Sequence, residues 1–124
     1  VDKRRSSAVE TQQQNIIGGP VEGRVALMID DMISTAGSIK GAAQLVADAG
    51  AREVHVAATH AVLCGNAIDN LKHASIASVV VTDSIPAVPA EQLETLKVLS
   101  VAPLLAEAIK RIHHDQSISA MFHT

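Results

Sequence analysis

The chain has no tryptophan, no tyrosine and one phenylalanine, Phe122. Nucleotide bases are often held against aromatic faces, so a complete base pocket is not evident, although aliphatic and arginine sandwiches also occur. Cysteine is equally scarce: Cys64 stands alone, which excludes an intramolecular disulfide and suits a reducing cytosol. No apolar run approaches the roughly 20 residues needed to cross a bilayer, and no signal-peptide pattern opens the chain. Positive charge is in deficit, with 10 Lys and Arg against 13 Asp and Glu and a net charge of -3. That balance argues against a nucleic-acid binder relying on a basic surface. The expectation is a soluble, cytoplasmic protein with neither nucleic acid nor membrane as partner. An initiator methionine is missing too. The first residues, Val1-Asp2-Lys3-Arg4-Arg5, resemble the end of a strand and read like the middle of a longer protein.

What is present is apolar and aliphatic. Of the 124 residues 48% are hydrophobic, enough for one well-buried core, so residues 1–124 are expected to form a single domain. Val1–Arg5 reads as the last part of a strand entering a basic loop. Residues 6–14 are polar and aperiodic, the expected flexible segment. Gln14–Ile17 suggests a short strand closed by Gly18-Gly19-Pro20, and Arg24–Asp30 a central strand buried on both faces. Gly37–Ala49 repeats Ile39, Ala42, Ala43 and Val46 at helical spacing, with Gly50 suited to terminate it. Glu53–Thr59 and Ile76–Thr82 read as further parallel strands, separated by a short helix over Asn66–Ala74. Leu96–Val101 reads as a last strand. Pro103 then sits near the start of a helix reaching His113, whose Leu104, Leu105, Ala108, Ile109 and Ile112 form a stripe for core or interface. Ser117–Phe122 alternates like an edge strand or a subunit contact. Strands alternating with helices predict an α/β fold, a parallel sheet flanked by helices on both faces.

One stretch carries most of the chemistry. Val25-Ala26-Leu27-Met28-Ile29 leads into Asp30-Asp31, followed by Met32-Ile33-Ser34-Thr35-Ala36-Gly37-Ser38-Ile39. In open α/β sheets, ligands bind outside the carboxyl ends of the strands, where this acidic pair is expected to emerge. Hydroxyls and backbone N–H groups at a helix N-terminus then suit a phosphate. Carboxylates for sugar hydroxyls beside donors for a phosphate describe a sugar-phosphate site. An Asp-Asp pair alone is as easily a helix cap or a solvated loop, but the Ser-Thr-Ala-Gly-Ser continuation favours a ligand.

The stretch from Met28 to Ile39 resembles the phosphoribosyl-pyrophosphate motif of ribose-phosphate pyrophosphokinases. The likeness continues along essentially the whole chain, and it is to the C-terminal half of such enzymes. Val1–Arg5 is similar to the start of the family's catalytic flexible loop. Thr59-His60 with Leu63-Cys64-Gly65-Asn66-Ala67 is similar to its Thr-His…Leu-Ser-Gly-Pro-Ala segment. Val79–Pro86, Leu99–Ile109 and Ser117–Phe122 match in order. The resemblance implies a type I phosphoribosyltransferase-like fold and transfer of a diphosphoryl group from ATP to ribose 5-phosphate, with Mg2+, giving phosphoribosyl pyrophosphate and AMP. It assigns Ser34, Thr35, Ala36, Gly37 and Ser38 to the 5-phosphate and Asp30 and Asp31 to the ribose hydroxyls, Asp30 foremost. Lys3 becomes the catalytic lysine, with Arg5 in the same cluster and on the substrate: a point charge and a bidentate fork for phosphoryl oxygens. No metal ligand within the chain is assigned. Self-association into a homo-oligomer is implied as well.

The chain departs from the family pattern at three places. Ser34 stands where an aspartate is common, Ser38 where threonine is, and Ser6-Ser7-Ala8-Val9-Glu10 replaces a proline-rich run. Much of the ATP site belongs to an N-terminal half, so the chain alone is not expected to complete the reaction. Two rivals share the acidic-pair loop: a type I phosphoribosyltransferase, and a non-catalytic, synthase-like regulatory subunit. The histidines show no ligand spacing that predicts zinc. His55 alternates with apolar neighbours, His60 suits loop packing as well as a site, and His113-His114 suits a helix C-terminus. Cys64 has no evident base to make it a nucleophile.

Overall fold

The computed structural model describes residues 2–5, 11–15, 19–86 and 93–122. Strands β1 (Asp2–Arg5) and β2 (Thr11–Asn15) form an antiparallel pair, Lys3 opposite Gln13 and Arg5 opposite Thr11. The segment expected to be flexible therefore ends in a strand from Thr11 onward, while Ser6 to Glu10 lie outside the described residues. So do Ile16, Ile17 and Gly18, where the expected short strand was to end.

The main sheet is parallel throughout, in the order β3 (Val25–Ile33), β4 (Glu53–Ala61), β5 (Ser78–Thr82) and β6 (Leu96–Leu99). Helix α1 (Gly37–Asp48) connects β3 to β4, and α2 (Ala67–Lys72) connects β4 to β5. Alternation along the strands separates two faces. Val54, Val56, Ala58, Val79 and Val81 are buried on one, where Ile39 of α1 and Leu71 of α2 close over them. Ala43 and Val46 of α1 pack with Val54 beside Ala26 and Met28.

The other face explains two corrections. Both connecting helices, α1 and α2, lie on the same side of the sheet, rather than one on each face. With strands in sequential order, right-handed crossovers deliver each connecting helix to the same side. Strand β3 is accordingly neither central nor buried on both faces: it lies at the sheet's edge, and Leu27 and Ile29 are 63% and 77% exposed. Its continuous apolar run reads as doubly buried, yet only the even-numbered Ala26 and Met28 meet helix α1.

Helix α1 ends as its sequence foretells. Gly50 adopts φ +89°, donating to the Ala47 carbonyl, while Ala51 N–H reaches Val46 O, the paired bonds of a Schellman motif. Helix α3 (Ala102–His113) begins with Pro103 in its first turn. None of its residues is buried, and Leu104, Leu105, Ile109 and Ile112 are exposed, so the stripe is no part of the described core. The tail forms a single 3-10 turn over Ser119–Met121 rather than an edge strand.

Candidate sugar-phosphate site

Strand β3 runs to Ile33, three residues past the expected end at Asp30, because β4 stays paired with it as far as Ile33 opposite Ala61. The acidic pair therefore lies within the strand, not in the loop after it. Strict alternation does not run to the end of the strand, since Ile29 is exposed and Ile33, an even number of residues later, is buried. Asp30 lines a cavity of about 140 Å³ together with Met32 and residues 34–39, whereas Asp31 does not line it. Their one link is local, the Asp31 N–H donating to Asp30 Oδ1 at 2.9 Å. Both side chains are exposed, so each carboxylate is available to a hydroxyl or a cation.

The loop over residues 34–36 carries the chain from the last residue of β3 into α1. Ala36 is its pivot, buried and left-handed at φ 61°. A non-glycine residue there costs on the order of 1–3 kcal/mol and persists only where its surroundings fix it. No side chain caps the helix, and its first bond runs from Lys40 N–H to Ala36 O. The opening turn of a helix has no carbonyls of its own for its amides, which makes this end a natural anion seat. Ser34, Thr35, Gly37 and Ser38 border the same cavity. Thus Asp30, Ser34, Thr35, Ala36, Gly37 and Ser38 are brought together. The volume is below the roughly 300–1,000 Å³ usual for drug-sized ligands, and Asp30 and Ser38 also border a second cavity of about 330 Å³ along β3.

Lys3 and Arg5 are described only through their backbones in β1; their side chains lie outside the described residues. Strand β2 runs beside α1.

The segment after β4 was not read as part of the site, yet it shapes the loop. Leu63 N–H donates to Ile33 O, Cys64 N–H to Ser34 O, and Asn70 Nδ2 to Thr35 O at 2.9 Å. Ser34 Oγ also lies 3.2 Å from Cys64 Sγ. One signal was available in the sequence: Asn70 is a polar residue between the inward-facing Ala67 and Leu71 of a short helix.

The remaining candidates have structural partners. His60 Nδ1 meets Ser84 Oγ at 2.8 Å, and Ser84 Oγ donates to Thr59 O, the loop-packing alternative for that histidine. His55 is held between Ser78 Oγ and Glu53 Oε2. His113 ends α3, its ring edge-on to His114. Asp83 Oδ1 accepts the Val101 N–H at 2.8 Å, fixing the entry to α3. The Ser100 hydroxyl, followed by that amide, lowers the Asp83 pKa from the ordinary 3.8. Among the described residues, no group of three or more His, Cys, Asp or Glu side chains could by itself hold a metal ion. A roomier cavity of about 400 Å³, bordered by Leu71, Lys72, Ile76, Leu93, Glu94 and Thr95, lies at the C-terminal end of α2 and has no helix N-terminus to offer an anion.

Comparison with known proteins identifies the family and the fold. The family model described as the phosphoribosyl synthetase-associated domain matches residues 6–123. The ribose-phosphate pyrophosphokinase of Rhodopirellula baltica is 67% identical over 122 residues, covering 98% of this chain and 39% of the relative. That of Bacillus subtilis is 44% identical over 122 residues, covering 98% and 38%. A solved phosphoribosylpyrophosphate synthetase from Mycobacterium smegmatis superposes with a TM-score of 0.75 at 39% identity, over 79% of this chain and 33% of that one. The chain thus spans under two-fifths of the length of these curated relatives. The parallel sheet with flanking helices is the type I phosphoribosyltransferase-like α/β fold expected from the motif.

Proposed function

The chain belongs to the phosphoribosyl synthetase-associated domain family, and we propose that residues 1–124 form its ribose 5-phosphate-binding domain, contributing to diphosphoryl transfer from ATP. The observation that carries this reading is the convergence of Asp30 and residues 34–38 on one cavity at the start of α1. Ser34, Thr35, Ala36, Gly37 and Ser38 hold the 5-phosphate through hydroxyls and amides. Asp30 accepts hydrogen bonds from the ribose hydroxyls. Asp31, which does not line the cavity, has the weaker claim on the ribose hydroxyls. In the reaction the anomeric oxygen bonds to the β-phosphorus of ATP, the bond from that phosphorus to the oxygen bridging to the α-phosphoryl group breaks, and AMP leaves. Such chemistry is mostly positioning and neutralisation of phosphoryl oxygens. Lys3 and Arg5 supply the positive charge for it.

Mg2+ fits this donor set in the way it commonly binds, through one or two carboxylates and substrate oxygens rather than an all-protein cage. Asp30, exposed and bordering the cavity, is the carboxylate of this chain that would hold it, together with substrate oxygens. When bound, it would supply positive charge against the phosphoryl oxygens. ATP is the second substrate, with most of its site in the portion of the relatives that this chain does not span. The names of the relatives favour this activity over base transfer to phosphoribosyl pyrophosphate. A cytoplasmic setting and a homo-oligomeric assembly complete the reading. No helix among the described residues is long and apolar enough to cross a membrane, and the exposed stripe of α3 offers surface for a partner subunit.

The test is a graft. This chain replaces its counterpart in the Rhodopirellula baltica enzyme, and AMP release from ATP is followed with and without ribose 5-phosphate. AMP formation dependent on ribose 5-phosphate is expected, while the 124-residue chain alone gives none. A folded graft without activity would count against a catalytic role and favour a regulatory subunit.

A further inference from the structure

We propose that Asn70 is a positioning residue for the sugar-phosphate loop, setting the direction of the loop's amides; this rests on the ribose 5-phosphate reading above. Three successive carbonyls at the end of β3 accept hydrogen bonds from the segment that follows β4. Ile33 O takes the Leu63 N–H at 2.9 Å and Ser34 O takes the Cys64 N–H at 3.1 Å. These two bonds hold the loop after β4 against the loop after β3, beyond the last paired residues Ile33 and Ala61. There the backbone donors end, because Gly65 turns at φ +57° and α2 begins at Ala67. The third carbonyl, that of Thr35, takes its donor from a side chain instead: Asn70 Nδ2, at 2.9 Å.

The consequence follows from peptide geometry. In a trans peptide, the C=O and the N–H of one unit point in opposite directions. Tying the Thr35 carbonyl to α2 therefore turns the Ala36 N–H away from α2. Thr35 and Ala36 both border the loop cavity, whereas Asn70 does not. Asn70 thus acts on substrate only through the Thr35–Ala36 peptide, by keeping that amide available to the phosphate. It also braces the unit that leads into the left-handed Ala36. The carboxamide suits this task because its NH2 group donates to a carbonyl, where the carboxylate of aspartate would repel it.

Asn70→Ala, Asn70→Asp and Lys72→Ala, made in the complete gene product that carries these residues, separate the possibilities. Alanine keeps helix propensity at position 70, so the fold is retained, and melting curves check it. Losing one hydrogen bond that positions the phosphate donors raises the KM for ribose 5-phosphate about tenfold in Asn70→Ala. Asn70→Asp raises it further, the KM for ATP and kcat stay close to wild type in both, and Lys72→Ala matches wild type. Equal rises in both KM values, or a lowered melting temperature with an unchanged ratio of the two, would overturn the assignment as mere structural support. If wild type saturates with ribose 5-phosphate and Asn70→Ala behaves identically, this inference alone fails. If wild type does not saturate with ribose 5-phosphate, the substrate reading fails and this inference with it.

Discussion

Two adjacent aspartates look interchangeable in a sequence, but the fold makes them unlike. Asp30 borders the loop cavity and Asp31 does not, so removing one carboxylate must matter more than removing the other. Asp30→Asn is expected to weaken ribose 5-phosphate binding at least tenfold, about 1.4 kcal/mol, and Asp31→Asn by less than threefold. Isothermal titration of the two variants checks the asymmetry, and equal losses would show that both carboxylates face the sugar. The residue types of the site were legible: carboxylate, hydroxyls and glycine in one run, with the helix starting at Gly37 as read. Asn70 stands out in sequence only as a polar residue beside inward-facing ones; its partner Thr35 lies 35 positions away and only the fold brings them together. The difference between Asp30 and Asp31 was hidden for a related reason. Aspartate is disfavoured in strands, so the strand was ended at Asp30, where parallel pairing with β4 in fact carries it on to Ile33.

At the scale of elements, burial predicts where a methyl group matters. Ile33 is fully buried in the main core with Ile39, Ala61 and Leu63, whereas Ile29, four residues earlier on the same strand, is 77% exposed. Ile33→Ala should destabilise the chain by about 2–5 kcal/mol and Ile29→Ala by about 0.5 kcal/mol or less, as read by urea denaturation. Helix α3 depends on a polar entry instead. Asp83 has a lower pKa folded than unfolded, chiefly through the Ser100 hydroxyl and then through the Val101 amide. A carboxyl shifted this way stabilises the fold fully above its unfolded pKa and loses that contribution as pH falls through the folded value. Wild type is therefore expected to lose stability as pH drops below the ordinary 3.8, and Asp83→Asn to lose less over the same interval. Thermal melts from pH 6 to about pH 3 compare the two slopes; identical slopes would remove Asp83 from the account. Helix ends were readable in advance, since Gly50 and Pro103 act locally. The exposure of α3 was not, because an apolar stripe states only that something should cover it.

For the molecule as a whole, the order of strands matters more than their number. A sequentially ordered parallel sheet gathers its crossover helices on one side, leaving Leu27, Ile29 and Val98 on or near an uncovered face. Alternation of strands and helices pointed to the fold class, and the ordered match of segments along the chain to the family, but periodicity carries no information about which face each helix takes. The same topology places the end of β3 and the start of α1 at the carboxyl edge of the sheet, where ligands of open α/β sheets bind. The central claim is that this edge, in this chain, recognises ribose 5-phosphate. Its most direct test is titration of the chain with ribose 5-phosphate, beside ribose lacking the phosphate, in wild type, Asp30→Asn and Thr35→Ala. The account predicts saturable binding of ribose 5-phosphate to wild type, no measurable binding of ribose, and at least about tenfold weaker binding in both variants at unchanged melting temperature. Equal binding by all three proteins, or no binding by folded wild type, would contradict it.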